Sequence, residues 1–133
     1  MKNLLFVDTS AWFALVNRRD PDHQAARETL ESFRGRLVTS NFIFDETVTL
    51  CRYRLGRETA VRVGEGLLGG DLADLARATV KDEVAAWNLF RQRADKSYSF
   101  TDCISFVMMR RLGLEQAAAF DDGFRREGFT VVP

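Results

Sequence analysis

A chain of 133 residues that is 46% hydrophobic has room for one globular core, expected to be a single domain over residues 1–133, and no room for a second. It contains no run of eighteen or more apolar residues, which excludes a transmembrane helix and predicts no membrane partner. Its net charge is zero, with 19 acidic against 19 Lys and Arg residues, so total charge alone names no partner.

The opening MKNLLFVDTS has one Lys and four apolar residues before Asp8, too short an apolar region for a secretory leader. Cys51 and Cys103 have neither CxxC spacing nor a disulfide-rich pattern, and each sits among apolar neighbours as a small buried hydrophobe. A reducing cytoplasm is the expected location.

Leu4–Val7 reads as a strand buried on both faces. Asp8 ends it, and Thr9 or Ser10 is expected to cap a helix through Ala11–Val16. Asp20-Pro21 predicts the next helix start, with Ala25, Ala26, Leu30 and Phe33 as its apolar face and Gly35 as its end. Leu37–Thr39 predicts a brief second strand. Ser40 or Asn41 then caps a longer helix to about Leu55, with Gly56 just beyond. Another helix spans Glu58–Leu68 before Gly69-Gly70. From Asp71 to Val80 the expectation is a loop with a short strand at its end.

Asp82–Ala94 is amphipathic, with Val84, Trp87, Leu89 and Phe90 as expected core positions. Ser99-Phe100-Thr101-Asp102 has the spacing of a capping box. The helix behind it carries Ile104, Phe106, Val107, Met108 and Met109, reads as central, and stops at Gly113. Ala117–Phe120 and Thr130–Val132 predict two last strands. Strands alternating with helices predict an α/β fold with a mainly parallel sheet.

Four carboxylates, Asp8, Glu46, Asp102 and Asp121, are embedded in or end apolar stretches. A charge beside buried surface loses hydration and needs an offsetting partner. Glu46 has Phe42, Ile43, Thr49 and Leu50 three or four residues away and Tyr53 one turn further, which places it on the apolar side of its helix. The competing reading pairs it with one buried arginine. Asp8 and Asp121 follow strands, where ligands bind in open α/β sheets. Asp121-Asp122-Gly123 is also an ordinary turn, so Asp122 stays open as the inward-facing acid. Asp102 lies in a first helical turn, where the helix dipole alone favours a carboxylate.

Together the four acids predict an oxygen-only site for a hard cation, Mg²⁺ or Mn²⁺, and metal-assisted phosphodiester hydrolysis with one or two ions. Setting them aside leaves 15 acids against 19 Lys and Arg on the rest of the chain, an excess of positive charge suited to phosphates. Only Lys2, Lys81 and Lys96 are lysines, and arginine suits bidentate phosphate contacts. Arg52, Arg54, Arg57 and Arg62 cluster around the end of the Glu46 helix and are the RNA-phosphate candidates, against a reading as a solvated face paired with Glu58 and Glu65. The same surface is an alternative antitoxin-docking face; Trp12, Phe13 and Leu15 read mainly as core, with a partner-binding groove as the alternative. Other chemistries fit poorly. The one histidine, His23, is expected to cap a helix or face solvent, and neither GxxxxGK[ST] nor GxGxxG after the first strand is present.

The segments LLFVDTSAWFAL, SNFIFDETVTL with Glu46, SFTDCISFVMMRRLG and AAAFDDGFRREGFTVVP, in this order, resemble the PIN-domain ribonucleases. Size and layout are similar to the VapC-type toxins of type II toxin–antitoxin pairs. The resemblance covers essentially the whole chain and implies a three-layer α/β/α sandwich, usually dimeric. It implies RNA cleavage by metal-activated water at Asp8, Glu46, Asp102 and Asp121, with Ser10 and Thr101 supporting the site by hydrogen bonds, and an antitoxin protein as partner. One departure stands out. Where the family often has Thr or Ser before the fourth acid, this chain has Ala118-Ala119-Phe120. That departure supports the alternative of a silent PIN-like module that binds RNA or protein; an RNA-processing nuclease outside toxin–antitoxin systems is a further alternative. A phosphate-receiver domain fits poorly, because the mid-chain acid is on a helix and Asp8 stands alone.

Overall fold

The apolar run Leu4–Val7 is strand β1, and in the computed structural model, which describes residues 3–133, it lies at the centre of a five-stranded sheet. Met1 and Lys2, and with them the start of the segment weighed as a leader, lie outside the described residues. The other strands are β2 (Arg36–Ser40), β3 (Asp74–Ala76), β4 (Gln116–Ala118) and β5 (Thr130–Val132). Their order is β3-β2-β1-β4-β5, and every pairing is parallel. Leu5, Phe6 and Val7 are fully buried, as a strand covered on both faces requires.

Helices make the crossovers. α1 (Thr9–Val16) and α2 (His23–Ser32) join β1 to β2; α3 (Asn41–Arg54) and α4 (Arg57–Leu68) join β2 to β3. α5 (Val80–Gln92) and α6 (Phe100–Leu112) lead to β4, and the single turn α7 (Gly123–Arg126) leads to β5. This is the expected α/β/α sandwich, with a sheet that is parallel throughout among the described strands. The chain winds outward from β1 in one direction to β3 and in the other to β5, so a crevice opens between the carboxyl ends of β1 and β4.

Several local expectations are corrected. The cap of α1 is Asp8 itself, whose carboxylate accepts from the Ser10 backbone N–H; the strand-ending acid and the helix cap are one residue. α2 starts at His23, because Asp20 spends its carboxylate on the Asp22 N–H and its carbonyl on the His23 N–H, closing a turn around Pro21. β3 lies in the middle of the 71–80 stretch, held in register with Val38–Ser40. β2 is extended by one residue at each end, and α7 adds a turn of helix where none is expected. Ser40 caps α3 and Ser99 caps α6 in a full capping box, and Gly113 ends α6 with φ +71°, a conformation that disfavours any side chain.

The largest correction concerns α5. Its buried positions are Asp82, Ala86 and Leu89, while Val84, Trp87 and Phe90 are exposed. Asp82 sets this rotation. Its carboxylate closes the capping box with Thr79 and receives both arms of Arg111 from α6 at 2.8 Å, so the acid's side of the helix turns inward. α3 shows a smaller version of the same effect: its buried line is Ile43, Thr47 and Cys51, and Tyr53 is exposed.

Candidate active site

Asp8 and Asp121 emerge side by side from neighbouring strands. Val7 pairs with Ala118, and the Asp8 N–H donates to the Ala118 carbonyl at 3.0 Å. α3 packs against both α1 and α6, which brings Glu46, in the second turn of α3, toward Asp102 at the third position of α6. Four segments of the chain thus deliver one acid each to the β1–β4 crevice.

Their charges act on one another. Asp8 is only 3% exposed. Burial, followed by the charge of Asp121 and with a smaller part from Asp102, pushes its pKa up to about 7, against the lowering effect of hydrogen bonds from Ser10. Asp102 is raised as well, by burial first and then by Asp121 and Glu46, against the hydrogen bonds from Ser99. Asp102 and Asp121 line a cleft of about 230 Å³ with Tyr98 and Gly123. Glu46 is half-buried, Asp45 beside it is exposed, and Asp121 reaches solvent.

Asp121 and Asp122 both border this cleft and differ in their partners. Asp121 accepts from the Gly123 N–H at 3.3 Å and bears on both Asp8 and Asp102. Asp122 faces Arg125 at 3.6 Å and Arg126 at 3.8 Å in exposed ion pairs.

Ser10 supports the site in a way that sequence alone does not reveal. Its hydroxyl donates to Asp8 Oδ2 at 2.8 Å and accepts from the Phe120 N–H at 3.0 Å. One oxygen therefore ties the first acid to the backbone just before the fourth, the place where Ala118-Ala119-Phe120 offers no hydroxyl. Thr101 is a correction: its side chain makes no hydrogen bond to any of the four acids among the described residues. The support at Asp102 comes from Ser99, whose Oγ accepts from the Asp102 N–H at 3.0 Å and whose N–H donates to Asp102 Oδ2 at 2.9 Å. Beneath the crevice a buried hydroxyl layer links the elements. Trp12 Nε1 donates to Thr39 Oγ1, Thr39 Oγ1 to the Val7 carbonyl, and Thr47 to Thr9.

The remaining candidates lie elsewhere. Arg52, Arg54, Arg57 and Arg62 are exposed on α3 and α4, and none makes an ion pair among the described residues, Glu58 and Glu65 included. Arg52 and Arg57 border a groove of about 500 Å³ between those helices, with Phe44, Tyr53 and Val61. Trp12 is buried, and Phe13 and Leu15 are partly buried against the core. His23 holds the Ala14 carbonyl at 2.8 Å through Nδ1 and stands apart from the acids. Cys51 and Cys103 are buried and unpaired. Among the described residues no helix is long and apolar enough to cross a membrane.

The donor set suits a hard divalent cation: four carboxylates with no His or Cys, two of them made costly to ionise by burial first and by neighbouring acids second. Among the described residues no three His, Cys, Asp or Glu side chains are gathered closely enough to hold a metal ion, so the acids form an open cluster. An open, partly solvated acid cluster suits Mg²⁺, which keeps several of its waters when bound.

The PIN domain family model matches residues 5–129. The chain is 36% identical over 129 residues to the 23S rRNA-specific endonuclease VapC20 of Mycobacterium tuberculosis, covering 97% of this chain and 98% of that one. The crystal structure of that VapC20, described as a sarcin-ricin loop cleaving toxin, superposes with a TM-score of 0.92 at 34% identity over 98% of this chain and 100% of the other. A VapC ribonuclease of Archaeoglobus fulgidus is 29% identical over 114 residues, 82% of this chain and 72% of that one. FitAcB from Neisseria gonorrhoeae shares the fold with a TM-score of 0.72 at 15% identity, covering 97% and 96% of the two chains. With the sheet order, the acid crevice and these likenesses in agreement, the chain belongs to the PIN-domain family, among its VapC-type members.

Proposed function

We propose that this chain is a metal-dependent endoribonuclease and the toxin of a type II toxin–antitoxin pair, acting on RNA in the cytoplasm. The observation that carries the reading is the mutual charge of Asp8, Asp102, Asp121 and Glu46, contributed by four separate segments. Asp8 and Asp102 would hold the ion, with Glu46 and Asp121 completing the acidic set. Mg²⁺ or Mn²⁺ there would offset the shared negative charge and supply Lewis-acid chemistry at a phosphodiester.

The chain's own residues do the rest. Ser10 and Ser99 fix the carboxylates of Asp8 and Asp102 by hydrogen bonds, so neither acid turns away when the cluster repels itself. Asp121 is exposed and Glu46 half-buried, so both reach the solvent side and orient the attacking water. Arg52, Arg54, Arg57 and Arg62, exposed and without an ion pair among the described residues, hold RNA phosphates away from the acids. The description of VapC20 as a toxin supports an antitoxin partner, and a homodimer is part of the same proposal.

The test is cleavage of single-stranded RNA by the full chain with Mn²⁺ and with chelator. The expected result is endonucleolytic products only with metal; intact RNA under both conditions overturns the reading. For the arginines, replacing each with Ala should lower the salt slope of RNA binding by about 0.7 for every phosphate that is no longer neutralised. For the toxin role, induction should arrest growth, and the product of a small adjacent reading frame should relieve it.

A further inference from the structure

Trp87 and Phe90 stack on the outside of α5, with ring centroids 5.7 Å apart and planes 15° from parallel, and Trp87 is 53% exposed. Trp12, the other tryptophan, is buried. The aromatic line continues inward. Phe90 meets Phe100 edge-on at 6.5 Å, and Phe100 meets Phe42 at 6.0 Å. Phe100 opens the helix that carries Asp102, and Phe42 sits one turn before Glu46. Beside the stacked pair is a hollow of about 320 Å³ bordered by Arg91, Arg93, Lys96 and Tyr98. Tyr98 also lines the acid cleft, so the hollow and the cleft share a wall.

We propose that the Trp87–Phe90 face with Arg91 is a substrate subsite that stacks an unpaired RNA base and holds its phosphate next to the acid cleft. The proposal rests on the endoribonuclease reading and names how the strand is seated. The acid cluster repels every phosphate except one neutralised by metal, so flanking nucleotides need contacts of a different kind close by. An aromatic face supplies them whatever the base, since every base has a stacking face, and a cation beside it takes the phosphate. Arg91 makes no ion pair among the described residues; Arg93 is occupied by Glu127, and Lys96 makes only a surface pair with Asp95. The alternative occupant is a second copy of this chain. Arg91, beside the stacked pair, gives this face a charge that complements a phosphate.

The experiment titrates a short, fluorescently labelled oligoadenylate with the chain in chelator at low salt, following the label's anisotropy for every variant and tryptophan emission for wild type, and then measures cleavage with Mn²⁺. Wild-type emission is expected to be quenched. Trp87→Ala is expected to weaken binding about tenfold and Trp87→Phe by less than about threefold. Trp87→Ala also raises the RNA concentration for half-maximal cleavage more than it lowers the rate at saturation. Unquenched emission, or equal affinity in Trp87→Ala, overturns the subsite. So does an emission change that follows protein concentration alone, together with a dimer that Trp87→Ala dissociates, because a second copy then covers the face. Weakened binding in Trp87→Ala without any Mn²⁺-dependent cleavage by wild type would instead overturn the nuclease reading and leave the subsite standing.

Discussion

Ser10 and Asp8 are joined by a 2.8 Å hydrogen bond whose donor also accepts the Phe120 N–H, so one hydroxyl locks the ends of β1 and β4 to the first acid. The bond favours the charged form of an acid that burial and its neighbours push the other way.

Ser10→Ala removes both hydrogen bonds. The expected cost is about 1 kcal/mol of stability and a fall in Mn²⁺ affinity of roughly ten- to a hundredfold, as for other groups that orient a ligand. Thermal melts and metal titration check the two effects separately. Thr101→Ala serves as the comparison and should shift metal affinity far less, because its hydroxyl touches none of the acids.

Asp8 gives the metal-free protein a defined pH dependence. Its folded pKa of about 7 lies above the ordinary 3.8, so the folded form holds the proton where the unfolded chain has lost it. The stability this contributes is fully present below about pH 4 and disappears as pH rises through about 7. In chelator, the melting temperature of wild type should therefore fall between about pH 5 and 8 relative to Asp8→Asn. Adding Mn²⁺ should restore it at the alkaline end, since a ligand that binds only the folded form stabilises it. Parallel curves for the two proteins would show that the buried charge is not the cause.

Glu127 behaves in the opposite sense. Its side chain is 4% exposed. Burial pushes it up, but hydrogen bonds from Arg93, Arg110 and Tyr98 outweigh that and hold it at about 2. Its contribution is present above about pH 4.5 and is lost as pH falls through about 2. Glu127→Gln should cost about 2 kcal/mol near neutrality, less than a fully buried pair because both guanidinium groups reach solvent. Denaturant unfolding at neutral and at acid pH checks this, with the difference between the two proteins shrinking in acid.

Much of the layout is legible in the sequence because it depends on near neighbours. Leu4–Val7 as a buried strand, the Ser40 cap, the Ser99–Asp102 box and the Gly113 stop are all short-range chemistry, and the fold contains each of them. What escapes depends on distant partners. The rotation of α5 is fixed by Arg111, 29 residues beyond Asp82, and no periodicity in α5 reveals it. The Ser10–Phe120 hydrogen bond spans 110 residues and involves a backbone donor, which almost any residue type could provide. α7 is one turn long, and Asp121-Asp122-Gly123 reads equally as a plain turn. The arginines beside Asp122 are three and four residues away, but the approach of Asp121 to Asp8 and Asp102 depends on the fold.

The most direct test of the acid cluster is calorimetric titration of Mn²⁺ into wild type, Asp8→Asn and Asp102→Asn. Wild type should bind the ion, and each variant should bind more than about tenfold more weakly, since a carboxylate ligand is worth at least as much as the groups that support it. Undiminished Mn²⁺ affinity in both variants would contradict the account.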